Sequence, residues 1–250
     1  MPNYFVAGVL TCGEQVVVKG KDFHHITDVR REIAGNEIFL VDETGCRFSA
    51  VIDKINGDNL TCFLKEQVVG CEPNLVLTLY AAVLKGSSFD DVVRKATEVG
   101  VAKITPLLTE RSVPNYGAKT GDKIARWRRI AEEAAKQSMR SFVPEIAATM
   151  SFPEVIAGAR ENCKLIAHLT SSSFNEFAAE IKPPADAALL IGPEGGFSPL
   201  EVKSAEEAGW QGVSFPFPQL RAETAAVVLP AVVIYEWSRV WSKRNNGDIA

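Results

Sequence analysis

Leu189-Leu190-Ile191-Gly192-Pro193-Glu194-Gly195-Gly196-Phe197-Ser198 ends an apolar run on a glycine-rich loop and leads directly into a helix start. Residues 187–191 have the length and apolar continuity of a short buried strand. Ser198 is a good helix N-cap, Pro199 suits the first helical position, and Glu201 completes a capping box with Ser198. The segment is therefore predicted as strand, tight loop, helix. Such a loop brings bare backbone N–H groups and a helix N-terminus to one point, where an anionic group can be held. It is neither a dinucleotide fingerprint, which needs Gly-x-Gly-x-x-Gly, nor a phosphate-binding loop ending in Gly-Lys-Ser/Thr. Read alone, it is also compatible with a simple chain-reversing turn.

Downstream, a short apolar strand is expected at 213–215, and Leu220-Arg221-Ala222-Glu223-Thr224-Ala225 opens a long apolar helix over 224–241. A charged pair and a threonine at the mouth of such a helix need partners. Glu223 and Thr224 are candidate caps, and Arg221 is a candidate ion-pair partner of Glu194 or Glu223. The helix is apolar on too many sides to lie on a surface, so a core or a subunit interface must cover it.

Upstream, residues 164–169, 104–108 and 75–83 read as further strands, and 89–99 as a helix closed by Gly100. Strand, helix, strand in that order predicts parallel pairing. A second helix is expected over 123–139, with Ile124, Trp127, Ile130, Ala131 and Ala134 on one face. Before the Gly70-Cys71-Glu72-Pro73-Asn74 linker the pattern changes to short strands at 15–18, 37–41, 47–52 and 60–64. Turns at Asp42-Glu43-Thr44-Gly45 and Asn56-Gly57-Asp58 separate them, and Asp22 is placed to cap a short helix through His24, His25 and Val29. This is a small β-barrel pattern with one helical insertion. Two domains follow, 1–72 and 73–250.

The overall charge of −4 argues against a nucleic-acid partner, but its distribution does not. Residues 73–150 carry 12 basic against 8 acidic side chains, whereas both flanking segments are acidic. The five cysteines are scattered, odd in number and without a Cys-x-x-Cys pair, which fits cytosolic thiols and neither zinc nor a disulfide framework. His24 and His25 are adjacent, so on a helix they diverge and make poor joint metal ligands; no metal site is expected. The start lacks a basic region followed by an apolar stretch, so no secretory signal is read. The apolar region 225–235 contains Pro230 and is too short to span a bilayer; no membrane partner is expected.

Gly-Pro-Glu-Gly-Gly-Phe-Ser at 192–198 followed by Leu-Arg-Ala-Glu-Thr-Ala at 220–225 resembles the RsmE family, the 16S ribosomal RNA uridine-N3 methyltransferases of the SPOUT superfamily. Leu84-Lys85-Gly86, Lys95-Ala96-Thr97-Glu98-Val99-Gly100-Val101 and the stretch from Arg126 to Ser141 are similar to the family too, so the likeness extends over nearly all of the chain beyond residue 75. The resemblance implies an N-terminal PUA-like barrel, an α/β domain with a deep carboxy-terminal trefoil knot, a homodimer, a cytoplasmic location, and S-adenosylmethionine as methyl donor to 16S ribosomal RNA of the small subunit. It places Leu169, Ile191, Gly192, Gly195, Gly196, Phe217, Leu220 and Thr224 at the cofactor. Arg30, Arg31, Lys85, Arg126, Arg129 and Arg140 are the candidate RNA contacts. Arg221 is the candidate for stabilising a uracil anion, and Glu194 or Glu223 for accepting its proton.

The chain departs from the family pattern at Arg30-Arg31, where Val-Leu-Arg is usual, and at Asn36, where Asp is usual. It departs again at Phe215-Pro216-Phe217-Pro218, where the prolines remove two backbone donors from the second loop. Two alternatives stay open at this level: a relative acting on a ribose 2′-OH or another base, and a non-catalytic RNA-binding protein.

Overall fold

The computed structural model describes residues 2–70, 72–112 and 120–247, with side chains at 120, 170 and 241–247 excepted. The chain divides into two compact units, Met1–Glu72 with Ala135–Phe142, and Pro73–Ala134 with Val143–Ala250. The sequence pattern alone assigns 135–142 to the second of these. Cys71 lies outside the described residues; Cys12, Cys46, Cys62 and Cys163 are free thiols.

The first unit is a five-stranded mixed sheet in the order β1-β3-β4-β5-β2. Its strands are β1 (Asn3–Phe5), β2 (Gln15–Lys19), β3 (Glu37–Val41), β4 (Arg47–Asn56) and β5 (Asn59–Val68). All pairs are antiparallel except β1 with β3. Three residues give β1 too little alternation to be legible, whereas β3 has the predicted bounds. The Asp42 turn forms as expected: one carboxylate oxygen accepts from the amides of Thr44 and Cys46, both at 2.9 Å. Helix α1 (Gly20–His24) runs into a π-helical turn, His25–Val29. Lys19, not Asp22, is its N-cap residue, and Asp22 instead binds the Lys136 ammonium at 2.7 Å. Arg31 ends the turn at φ 57°, a left-handed position uncommon for a side chain with a Cβ.

Arg140 is buried, contrary to its assignment as an RNA contact. Glu72 holds its guanidinium at 2.8 Å and the Ser141 amide at 2.6 Å, while Asn3 donates to its carbonyl at 3.0 Å. A buried arginine persists only with such a counter-charge, so this side chain is committed to the unit's interior.

The second unit is an all-parallel sheet in the order β12-β10-β11-β6-β7-β8, with β9 pairing β7. The strands are β6 (Val76–Ala82), β7 (Lys103–Leu108), β8 (Glu145–Ile146), β9 (Met150–Ser151), β10 (Cys163–Ser173), β11 (Asp186–Ile191) and β12 (Gln211–Ser214). The helices are α2 (Ser88–Glu98), α3 (Thr120–Gln137), α4 (Phe152–Gly158), α5 (Phe174–Glu180), α6 (Pro199–Glu207) and α7 (Ala222–Gly247). Alternation along β11 sends Ala187, Leu189 and Ile191 into one core with Leu77, Leu79 and Leu165, and Ala188 and Leu190 into another with Tyr80 and Ile166. Both faces are thus covered, as a parallel sheet requires. Helices α2, α5 and α7 contribute to the first core, α4 and α6 to the second.

Ala222, Ala226, Leu229, Val233 and Trp237 form the buried stripe of α7, at helical spacing. Val227 and Ala231 are only half-buried, and Tyr235 is 67% exposed. No helix among the described residues is long and apolar enough to cross a membrane.

Candidate active site

The carboxyl ends of β6, β7, β10 and β11 and the loop after β12 surround one cavity of about 830 Å³. Open parallel sheets place ligands at this end, where loops and helix starts converge. The β11 loop turns tightly: the Gly196 amide donates to the Pro193 carbonyl at 2.8 Å, and Gly196 sits at φ +65°. A Cβ on Gly192 would lie 3.2 Å from the Phe197 nitrogen, so close backbone approach demands glycine there. Gly195 has neither constraint: its φ lies outside the left-handed region, and an added Cβ meets only the Arg111 side chain, at 3.4 Å from Cδ and 3.6 Å from Cβ. Helix α6 then starts on the predicted capping box, with Ser198 N–H donating to Glu201 at 2.8 Å and Ser198 Oγ accepting from the Glu201 amide at 3.3 Å. The other Glu201 oxygen accepts from the Glu110 amide at 2.9 Å, which ties the end of β7 to this helix.

The wall opposite comes from residues 215–221. Phe215 stacks on Phe174 with ring centroids 5.1 Å apart, and the Phe217 amide turns back onto the Phe215 carbonyl at 2.8 Å. Pro216 and Pro218 fit this turn because neither position is asked for a donor. Helix α7 follows, with the Ala225 amide on the Arg221 carbonyl at 2.8 Å. The third wall is β10, whose pairing with β12 breaks between Ala167 and Ser172. Such a bulge re-aims side chains; here His168 and Leu169 reach the cavity, and Leu169 is 67% exposed.

Of the residues assigned to a cofactor from sequence, Leu169, Ile191, Gly192, Gly195, Gly196, Phe217 and Leu220 all line this cavity. Thr224 does not; it is exposed on the first turn of α7. Arg221, Glu194 and Glu223 line it as well. No ion pair joins Arg221 to either carboxylate among the described residues, so the expected structural pairing is absent and all three charges face the cavity free of protein partners. Among the described residues no group of acidic, histidine and cysteine side chains is arranged to hold a metal ion.

The candidate RNA contacts separate. Lys85, exposed after β6, lines the cavity. Arg126 is ion-paired with Asp90, which also accepts from Trp127 Nε1 at 2.9 Å, yet its side chain stays 65% exposed. Arg129 is exposed. Arg30, which pairs with Glu32 at 3.4 Å, and Arg31 are exposed in the first unit. Arg111, Ser88 and His168 line the cavity and were not legible as site residues. The signal available for Arg111 was a cation just past the end of a parallel strand.

A doubly covered parallel sheet with a glycine loop at its carboxyl end and a mixed-charge cavity matches a known class: residues 71–234 match the family described as RNA methyltransferase domain. A Ribosomal RNA small subunit methyltransferase E from Synechocystis is 33% identical over 225 residues, covering 87% of this chain and 72% of that protein. A protein of the same name from Mesomycoplasma hyopneumoniae is 29% identical, covering 91% and 92%. The crystal structure of Ribosomal RNA small subunit methyltransferase E from Neisseria gonorrhoeae bound to S-adenosyl methionine superposes with a TM-score of 0.84 at 26% identity, covering 95% of this chain and 98% of that one. The chain belongs to the family of small-subunit ribosomal RNA methyltransferases E.

Proposed function

We propose that this protein transfers a methyl group from S-adenosylmethionine to N3 of a uridine in 16S ribosomal RNA of the small subunit. The observation that carries the reading is the closure of one cavity by three segments, 167–169, 191–197 and 215–221, two of which hold the family's sequence motifs. The residues present fit the cofactor. Gly192 and Gly196 make a cradle that side chains would fill or strain, and among the described residues the amides of Glu194 and Gly195 make no hydrogen bond. Leu169, Ile191, Phe217 and Leu220 supply an apolar surround suited to an adenosine ring.

Bound there, S-adenosylmethionine supplies an electrophilic methyl on a sulfonium. The protein's part is to orient uracil against it and to remove the N3 proton. Arg221, with no ion-pair partner among the described residues, is free to stabilise the negative charge that develops on the uracil carbonyls as that proton leaves. Glu194 or Glu223 accepts the proton, and Lys85 at the rim holds a phosphate of the target strand.

The finer architecture belongs to the same reading. The chain leaves β11, crosses through α6 on one face of the sheet to β12 beyond β10, and returns as α7 on the opposite face. Because α5 lies on that same face, the return of α7 from β12 to β11 and β6 passes the β10–α5–β11 connection, and this supports a trefoil knot. The five-stranded unit serves as a PUA-like barrel that presents Arg30 and Arg31 to RNA. The stripe of α7 formed by the half-buried Val227 and Ala231 and the exposed Tyr235 supports a homodimer, and a ribosomal RNA substrate is in keeping with the cytoplasm. Mass spectrometry of 16S RNA from cells with and without the gene tests the function: the mass of one added methyl group at a uridine, mapped to N3, is expected in its presence. Methylation found on a ribose hydroxyl instead overturns the base assignment.

A further inference from the structure

Arg111 lies outside both sequence motifs, yet its side chain reaches from the end of β7 to the glycine loop. Its Nη1 donates to the Gly195 carbonyl at 2.8 Å and approaches the Phe197 carbonyl at 3.5 Å. Its stem runs beneath Gly195, where an added Cβ would lie 3.4 Å from Cδ and 3.6 Å from Cβ. The turn that carries it is itself locked. The Thr109 amide and hydroxyl meet Ser112 Oγ at 3.0 and 2.8 Å, and the Ser112 amide donates to the Thr109 carbonyl at 3.1 Å. The neighbouring Glu110 amide is fixed to Glu201, the capping residue of α6.

We infer that Arg111 is a positioning residue for the methyl donor: by engaging the Gly195 carbonyl it fixes the peptide planes of the 192–197 loop, so that the loop presents donors to the ligand. The inference rests on the proposed function of this cavity. The carbonyls of Pro193 and Gly195 are satisfied by Gly196 and Arg111, while the amides of Glu194 and Gly195 find no acceptor among the described residues. The Gly195 carbonyl shares its peptide plane with the Gly196 amide, so Arg111 and the Pro193 carbonyl hold the two sides of one plane; without Arg111 that plane can rotate, break the turn onto Pro193 and shift the Glu194 and Gly195 amides that the turn carries. Glycines at 195 and 196 offer little resistance to such a rotation. A charged donor on an exposed arm that also lines the cavity therefore acts as a brace and not as a group in the chemistry.

Three variants separate the hydrogen bond from the packing. Arg111→Met keeps an aliphatic stem under Gly195 and loses the donors, Arg111→Lys keeps one charged donor, and Arg111→Ala loses both. Calorimetric titration with S-adenosylmethionine should show affinity reduced about tenfold or more in Arg111→Met and Arg111→Ala, as for one hydrogen bond from a charged donor, with part of it regained in Arg111→Lys. Turnover at saturating cofactor should stay within about threefold of the wild type, and the melting temperature of the unliganded protein should barely move. Unchanged cofactor affinity in Arg111→Met overturns the inference, as does a loss of turnover at saturating cofactor with affinity intact. Wild-type protein that binds no S-adenosylmethionine overturns the reading of the cavity itself, a result distinct from either.

Discussion

Arg221→Ala removes a guanidinium that lines the cavity, is exposed, and has no ion pair among the described residues. Truncation leaves no buried partner unsatisfied, so its effect on folding should stay within the roughly 0.5 kcal/mol typical of a surface change. For a chain of this length that is a melting shift of about 2 °C or less. The effect on chemistry should be far larger. If the guanidinium meets charge that appears on uracil only as N3 loses its proton, its loss raises the barrier without weakening the ground state. Removing one such preorganised donor costs about 3 kcal/mol, roughly a hundredfold in rate. Single-turnover methylation of 16S RNA, with cofactor and RNA both saturating, measures that step, and thermal unfolding of the same sample measures stability. A protein that melts several degrees early while methylating at a near-normal rate would refute the reasoning, because it would make Arg221 a structural residue.

Gly192→Val and Gly196→Val should abolish calorimetric binding of S-adenosylmethionine, the first through contact with the Phe197 nitrogen and the second through a β-branched side chain at φ +65°, whereas Gly195→Ala should bind nearly normally. Wild-type affinity in both valine variants would show that the loop does not hold the cofactor. Changing Arg126 and Arg129 together to Gln, which spares Asp90 a like-charged neighbour, should lower the slope of log K against log salt for RNA binding by about 1 to 2; an unchanged slope means that these side chains touch no phosphate. Glu72→Ala should destabilise the protein by about 3 kcal/mol, since it strips the carboxylate from a buried arginine. Chemical denaturation checks it, and a loss under 1 kcal/mol would mean that the pair behaves as a surface one.

The sheet and the loop were legible because their signals are local. Residues 187–201 contain an apolar run, a glycine turn and a capping box within fifteen positions, and each forms as read. The order of strands and helices was enough to predict parallel pairing, since the segments after β6, β7, β10 and β11 are each long enough for a crossover. What escaped was short or relational. Helices α4 and α5 have seven residues each, too few for a helical period to stand out, and β8 and β9 have two. The bulge that brings Leu169 to the cavity shows only as an over-long strand. Arg140 and Arg129 look alike in a basic stretch; Glu72, 68 positions away, decides that one is interior, and no periodicity announces such a partner. Thr224 sits one residue after a cavity-lining glutamate and one before a cavity-lining alanine, yet the helical turn carries it elsewhere.

The first compact unit is discontinuous: it takes in residues 135–142, and Arg140 and Ser141 close on Glu72 from there. A growing chain emits residue 72 about seventy residues before those partners exist, several seconds at the ~5–20 residues per second of synthesis. During that interval Glu72 and Asp22 wait without the cations that Arg140 and Lys136 later provide. The first unit therefore lacks these two ion pairs until β6, α2, β7 and all of α3 have been made. For the same reason a gene cut at the 72/73 junction yields a fragment lacking its own last segment, and grafting this unit onto another protein requires carrying a distant piece of helix with it.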